Sequence, residues 1–495
     1  MTINTLPETL QAPVTRAQKM LIGNDWVEAE SGETIPVFDP STGQTLSHQA
    51  AGGKAEVDRA VKAARAAFPS WSKITPRQRE RLLTKLADLL EQNAEQLAQL
   101  ESLDVGMPFM EAAYVDVPFS LDILRYYAGW PTKITGDTIP VSFPQTLGGG
   151  PFHAYTLREP LGVVAAIIPW NLPLMMAIKK LAPALATGNT IVIKPAEQTP
   201  LVMARLAELV LEAGIPEGVV NYVTGLGETA GAALVEHPGV NKVTFTGSVE
   251  TGKAIARAAT GTLKRVSLEL GGKSPNIIFG DADLNSAIVA SGMAIFAGAG
   301  ESCIAGSRLY AHRDVYEDVL AALADRANSI KVGPGMAEGT EMGPLISAEH
   351  RDKVLSYVDL AKEDGRIVAG GTTEGDGGYF VRPTVLADLH ENSRVLSEEI
   401  FGPVLSVIPF DSEEEVLAKA NNTQYGLGAA VWTKDIGRAH RMAASIESGQ
   451  VWVNCYQPVD AALPFGGSKQ SGYGRETCRE NLDEYLESKT VVVQL

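Results

Sequence analysis

Between residues 161 and 279 the chain alternates short, continuous apolar runs with longer amphipathic ones, and no other feature constrains the fold as tightly. Residues 163–168, 191–193 and 277–279 are apolar at every position, and 219–223 and 243–245 are apolar apart from Asn221 and Thr244, as expected of strands buried on both faces of a parallel sheet. Helix-like segments separate them, one opened by Thr199-Pro200 and closed by Gly214. Repeated strand-helix units make an α/β architecture, in which ligands bind at the carboxyl ends of the strands.

Helical periodicity precedes this region at residues 55–68 and again from Thr75. There Thr75-Pro76-Arg77-Gln78 supplies an N-cap, a first-turn proline and a capping-box glutamine, and Leu82, Leu83, Leu86, Leu89 and Leu90 share one apolar face. Between Thr138 and Tyr155 there is no Asp, Glu, Lys or Arg, and Pro140, Pro144 and the Gly148 to Pro151 turn punctuate short extended pieces, so a projecting hairpin is expected. A second alternation of helix and strand runs from about Gly272 to Gln470. The terminal Thr490-Val491-Val492-Val493 reads as a strand with no partner nearby in sequence, an edge that invites pairing with another subunit.

A chain of 495 residues exceeds one hydrophobic core, so two or three closely packed domains are expected, with a site between them. The formal charge of -17 repels phosphate backbones and anionic lipid, which argues against nucleic-acid and membrane partners. No apolar run is long enough to span a bilayer, and the first twenty residues lack the pattern of a signal peptide, so a cytoplasmic location is expected. The 3 cysteines and 7 dispersed histidines offer no metal-ligand spacing, and no metal is expected.

Cys303 lies among small residues in Gly298-Ala299-Gly300-Glu301-Ser302-Cys303-Ile304-Ala305-Gly306, where backbone can approach a ligand closely. Taken alone, a cysteine there reads first as a small buried hydrophobe, as Cys455 and Cys478 do, and only second as an exposed nucleophile. A thiolate attacking a carbonyl needs a donor for the oxyanion, and Asn171 carries an amide; the same residue also suits an ordinary strand-end turn. Glu269 interrupts an apolar stretch, where a carboxylate is either ion-paired or used as a base. Two glycine segments are rival cofactor loops, Gly225-Leu226-Gly227 with Gly231 and Phe245-Thr246-Gly247-Ser248 with Gly252. Lys194 and Glu197 follow a strand in a position to grip a ribose, or simply form a solvated turn.

Seven segments, PWNLP, KPAEQTP, FTGSVETG, LELGGK, ESCIAGSR, EEIFGPV and LPFGGSKQSGYGRE, resemble in order and spacing the motifs of the aldehyde dehydrogenase superfamily across nearly the whole chain. The resemblance implies an α/β fold in three parts: a variant dinucleotide-binding domain at residues 1–136 and 159–271, a catalytic domain at 272–470, and a small β oligomerisation element at 137–158 and 480–495. It implies NAD as cofactor, with Trp170, Gly247 and Ser248 near the pyrophosphate, Lys194 and Glu197 on the adenosine ribose, and Glu399 and Phe401 at the nicotinamide end. A carboxylate at Glu197 would repel a 2′-phosphate and so favour NAD over NADP. Cys303 becomes the nucleophile, Asn171 the oxyanion donor, Glu269 the base for thioester hydrolysis, and Lys180 with Glu476 a proton relay. A homodimer or homotetramer is implied as well.

Departures from the family concentrate in the substrate tunnel. Aromatic rings common in other members correspond here to Leu172, Lys179, Ala297 and Val459, and only Phe465 keeps the ring; Met176 adds apolar contact. The opened volume suits a bulky aldehyde, and the segments RYYAGWPTKITG and VDAALPFGG resemble the phenylacetaldehyde dehydrogenase branch. Glu301, where many members have glutamine, would raise the Cys303 pKa if it points inward. A coenzyme-A-acylating dehydrogenase and a non-catalytic binding protein on the same fold are the competing readings; Glu269 argues against the first and the intact Cys303, Asn171 and Glu269 set against the second.

Overall fold

A computed structural model describes residues 8–142, 150–375 and 377–495. Five parallel strands form the centre of an eight-stranded sheet, in spatial order Arg265–Glu269, Lys242–Thr246, Val163–Ile167, Thr190–Lys194 and Val220–Tyr222. Val163–Ile167 comes first in the chain yet sits in the middle, so the crossovers leave it in opposite directions. The switch opens a crevice beyond the carboxyl ends of these strands. Antiparallel additions close the sheet at both sides, Met20–Ile22 and Asp25–Val27 on one and Gly472–Tyr473 on the other.

Burial on both faces explains the continuous apolar runs. Along Val163–Ile167 the alternate residues Val164 and Ala166 enter one core, while Val163, Ala165 and Ile167 enter the core on the opposite face. The helix Pro76–Gln92 starts as its sequence predicts, with the Thr75 hydroxyl and the Gln78 side chain each accepting from the other's backbone N–H. Its Leu83, Leu86 and Leu90 are buried, and Leu82 and Leu89 pack at the margin of the same core.

The helix Leu201–Ala213 departs from its predicted start. Pro200, not Thr199, holds the N-cap position and supplies no side-chain cap. Asp104, distant in sequence, accepts from the N–H groups of Leu201 and Val202 at 3.2 and 2.9 Å. The orphan donors of the first turn are thus satisfied by a tertiary contact, which a local reading does not reveal.

A second sheet of seven strands carries, in order, Arg366–Ala369, Thr384–Ala387, Val404–Phe410, Arg308–His312, Pro275–Ile278, Gly428–Trp432 and Gln450–Val453. All neighbours are parallel except the first pair. In the third sheet Leu486–Gln494 pairs along its length with Phe152–Pro160, which in turn pairs with Thr138–Ile139. The terminal valine strand therefore has a partner within its own chain, far away in sequence, and keeps one edge free as the outer strand of that sheet. Residues 143–149, including Pro144 and the start of the predicted turn at Gly148, lie outside the described residues.

Candidate active site

The residues singled out in the first sheet sit at the ends of its parallel strands. Trp170 and Asn171 follow Val163–Ile167, Lys194 ends Thr190–Lys194 with Glu197 just beyond, Gly247 and Ser248 follow Lys242–Thr246, and Glu269 ends its strand. An open cleft of about 760 Å³ runs along these ends, lined by Trp170, Lys194, Glu197, Gly247 and Ser248. Gly227 and Gly231 line it too, so the two glycine segments that compete in the sequence belong to one cleft. Lys194 and Glu197 form an ion pair at 3.1 Å. Ser248 caps the helix Val249–Ala259, accepting from the Thr251 N–H at 3.2 Å.

Glu399 and Phe401 come from the second sheet's side and do not line that cleft. Glu399 accepts from the Gly272 N–H at 2.8 Å, and burial pushes its carboxyl up to about 7. The approach is so close that a Cβ on Gly271 would lie 2.0 Å from a Glu399 oxygen, and one on Gly272 would lie 2.2 Å from the Cys303 carbonyl. Glycine at these two positions leaves room for the Glu399 carboxyl and the Cys303 carbonyl to approach the backbone. Phe401 packs edge-on against Trp170 at 5.4 Å, and His350 packs against Trp170 at 5.5 Å while its Nε2–H donates to the Phe401 carbonyl at 2.7 Å. Burial pushes His350 down to about 4, which leaves it neutral. His350 carries no signal in the sequence; only folding stacks it there.

A narrower cavity of about 160 Å³ holds Cys303 and Asn171 in one lining, together with Leu172, Met176, Ala297, Val459 and Phe465. Val105, Met107, Glu111, Val115, Asp116 and Phe119 complete it from helices near the amino terminus, a wall that sequence reasoning missed because those residues are nearly two hundred positions from Cys303. Cys303 follows a left-handed turn through Gly298, Ala299 and Gly300, which leads out of the helix Leu284–Phe296. Burial pushes its thiol up to about 12; the Lys179 ammonium pulls it back, and the carboxyl groups of Glu269, Glu399 and Glu476 push it further up.

Asn171 donates from Nδ2 to the Glu301 carbonyl at 2.8 Å. A primary amide has two N–H groups, so one positions the side chain and the other is left for a ligand. The Glu301 side chain points elsewhere: its carboxyl accepts from the Ile346 N–H at 3.0 Å and lies 3.6 Å from His350. Glu301 is not among the leading charges acting on Cys303, and burial raises its own carboxyl above the ordinary range, so the thiol answers mainly to Lys179, Glu269, Glu399 and Glu476.

Glu269 is 5 % exposed, and neither carboxyl oxygen hydrogen-bonds to another described residue. Burial, then Glu476, raise its pKa well above the ordinary carboxylate range. Lys180 is fully buried, donates to the Thr246 hydroxyl at 2.8 Å and pairs with Glu476, which it holds below the ordinary range against the opposing effect of burial.

A half-buried cysteine and an amide in one cavity, an unpartnered carboxyl close by and an adjoining strand-end cleft coincide with a family match. The aldehyde dehydrogenase family model covers residues 26–491. The chain belongs to the aldehyde dehydrogenase family. It is 48% identical over 480 residues to phenylacetaldehyde dehydrogenase of Pseudomonas fluorescens, covering 96% of this chain and 95% of the relative. It is 46% identical over 495 residues to the mitochondrial aldehyde dehydrogenase of Homo sapiens, covering 99% and 94%. An aldehyde dehydrogenase from Bacillus cereus, solved as an NAD+ complex, matches with a TM-score of 0.96 at 48% identity over 99% of each chain. The three-part α/β fold expected of the family is thereby present, and the chain is an enzyme of the aldehyde-oxidising class. Among the described residues no helix is long and apolar enough to cross a membrane, and no group of three or more His, Cys, Asp or Glu is placed to hold a metal ion.

Proposed function

We propose that this aldehyde dehydrogenase oxidises a bulky aldehyde, with phenylacetaldehyde as the type substrate, to its carboxylic acid with NAD. The observation that carries the reading is the single cavity shared by Cys303 and Asn171, walled by Leu172, Met176, Ala297, Val459 and Phe465. Apolar side chains of modest size along that wall leave room for a ring and reward its burial at roughly 25 cal/mol per Å².

The cleft suits a dinucleotide. Gly227 and Gly231 present backbone with nothing within 4 Å of where a Cβ would project, and the helix Val249–Ala259 offers its amino terminus beside Ser248 and Gly247. Trp170 lines the same stretch, Lys194 and Glu197 would hold the adenosine ribose, and Glu399 and Phe401 the nicotinamide end. Bound NAD supplies the hydride acceptor. Glu197, which already neutralises Lys194, disfavours an added 2′-phosphate.

Cys303 attacks the aldehyde carbon as a thiolate, and the free Asn171 N–H together with the Cys303 backbone N–H steadies the thiohemiacetal oxyanion. After hydride loss the acyl group is a thioester on Cys303. Glu269, with no hydrogen bond to give up, accepts a proton from the water that hydrolyses it. Lys180 and Glu476, coupled electrostatically to Glu269, carry that proton onward.

We divide the chain into residues 1–136 with 159–271, 272–470, and 137–158 with 480–495, a division that the three larger sheets support. Ile139, Leu157, Val492 and Val493 are exposed on the third sheet, which supports a homodimer or homotetramer joined there.

The test is kcat/KM across phenylacetaldehyde, benzaldehyde, hexanal, betaine aldehyde and acetaldehyde, with NAD and then NADP in excess. Phenylacetaldehyde with NAD is expected to lead; acetaldehyde in first place would remove the bulky-substrate reading.

A further inference from the structure

Lys179 is the one wall position at which the opened tunnel gains a charge in place of a smaller apolar group. Its side chain lines the Cys303 cavity and is 3 % exposed, on the fully buried helix Pro173–Thr187. The ammonium rests 4.1 Å from the centre of the Phe465 ring. Among the described residues it makes no hydrogen bond and no ion pair. A buried ammonium has three donors to satisfy, and a ring face satisfies none of them as an oxygen would.

No described carboxylate pairs directly with this charge: the neighbouring Lys180 answers Glu476, Asp116, Glu269 and Glu476 feel Lys179 only through space, and Met175, Met176 and Phe465 share its lining. Desolvating an ammonium without acceptors is costly unless something that enters the cavity supplies one. What enters is the aldehyde. Glu111 and Asp116 line the same cavity, so a second carboxylate would meet like charge there. A neutral hydroxyl accepts from an ammonium without bringing that penalty.

We propose that Lys179 is a specificity-determining residue whose ammonium donates a hydrogen bond to a hydroxyl oxygen carried by the aldehyde, making hydroxylated bulky aldehydes the preferred substrate class. The inference rests on the bulky-aldehyde reading of this cavity and narrows it. No bond to the substrate is made or broken by Lys179, which binds and orients.

The test compares, in the wild-type holoenzyme and in Lys179→Met and Lys179→Arg, the ratio of kcat/KM for 2-, 3- or 4-hydroxyphenylacetaldehyde to that for phenylacetaldehyde, with 4-carboxyphenylacetaldehyde as a further arm. A ratio taken within one enzyme is independent of the fraction folded and of any general effect on Cys303. For the best hydroxylated isomer, Lys179→Met is expected to lower the ratio on the order of tenfold, the value of a hydrogen bond to a charged group, and Lys179→Arg to restore most of it. A fall smaller than about threefold for all three isomers overturns the proposal. So does a fall confined to the carboxylated substrate, which would make the partner of Lys179 an anion. Acetaldehyde outrunning phenylacetaldehyde in the wild type would instead sink the parent reading and leave the hydroxyl ratio to be judged separately.

Discussion

Two consecutive lysines on one helix meet opposite fates. Successive helical residues point about 100° apart, and here the two directions lead to the two residues of a single backbone bridge, Phe465 and Glu476. Lys180 reaches Glu476 and Thr246, and the pair is fully answered inside the protein. Lys179 reaches the Phe465 ring and stops short of any acceptor. Glu269, in the same electrostatic field, is likewise buried with free oxygens. The difference separates charge that holds the site together from charge held ready for what enters it: the first is paired within the fold, and the second is left expensive and open.

The largest effect is expected where the open carboxyl of Glu269 meets chemistry. Glu269→Gln keeps the shape of the side chain and removes the base, so turnover is expected to fall on the order of 10²- to 10⁴-fold. A burst of NADH stoichiometric with Cys303 is to be seen in stopped-flow before the slow phase, because acylation survives and hydrolysis does not. Unchanged steady-state turnover would take Glu269 out of the mechanism and end its contrast with the paired lysine.

Next comes the paired charge. Lys180→Met strands the Glu476 carboxylate in the interior and is expected to cost about 3–5 kcal/mol. Lys179→Met removes an unanswered cation, so its cost is expected to stay under about 1 kcal/mol or change sign. Thermal unfolding of the two variants side by side checks this, and equal losses would erase the distinction between them.

The least direct test of the contrast lies in the response of Cys303 to pH. With its thiol pushed up to about 12 in the free enzyme, the thiolate is the minor form at neutral pH, and its fraction grows about tenfold per pH unit below that value. Iodoacetamide labelling of the free enzyme is expected to accelerate in step from pH 7 to pH 10. A plateau below pH 9 would mean that Lys179 outweighs burial and the surrounding carboxyl groups.

Much of the fold was legible in the chain because burial on two faces and capping chemistry are local. The apolar runs mark four of the five central strands of the first sheet and one strand of the second, missing Arg265–Glu269, and Thr75 to Gln78 mark a helix start. The start at Leu201 was not legible, since Asp104 answers it from elsewhere in the chain. Of the candidate site, the strand-end residues could be proposed from sequence order, because a parallel sheet delivers the residues that follow its strands to one edge. The wall contributed by Glu111, Asp116 and Phe119 could not, nor could the stacking of His350 on Trp170.

By itself, the sequence determined the α/β architecture, the family and the set of residue types around Cys303, for these depend on pattern and order along the chain. Only the tertiary structure decided that both glycine segments share a cleft, that Glu301 turns away from Cys303 toward Ile346, that the terminal strand pairs with Phe152–Pro160, and that Lys179 stays open where Lys180 is closed. The physical reason is common to all four. Whether a polar group is answered depends on what lies within about 3 Å of it, and folding sets that distance between residues far apart in the chain.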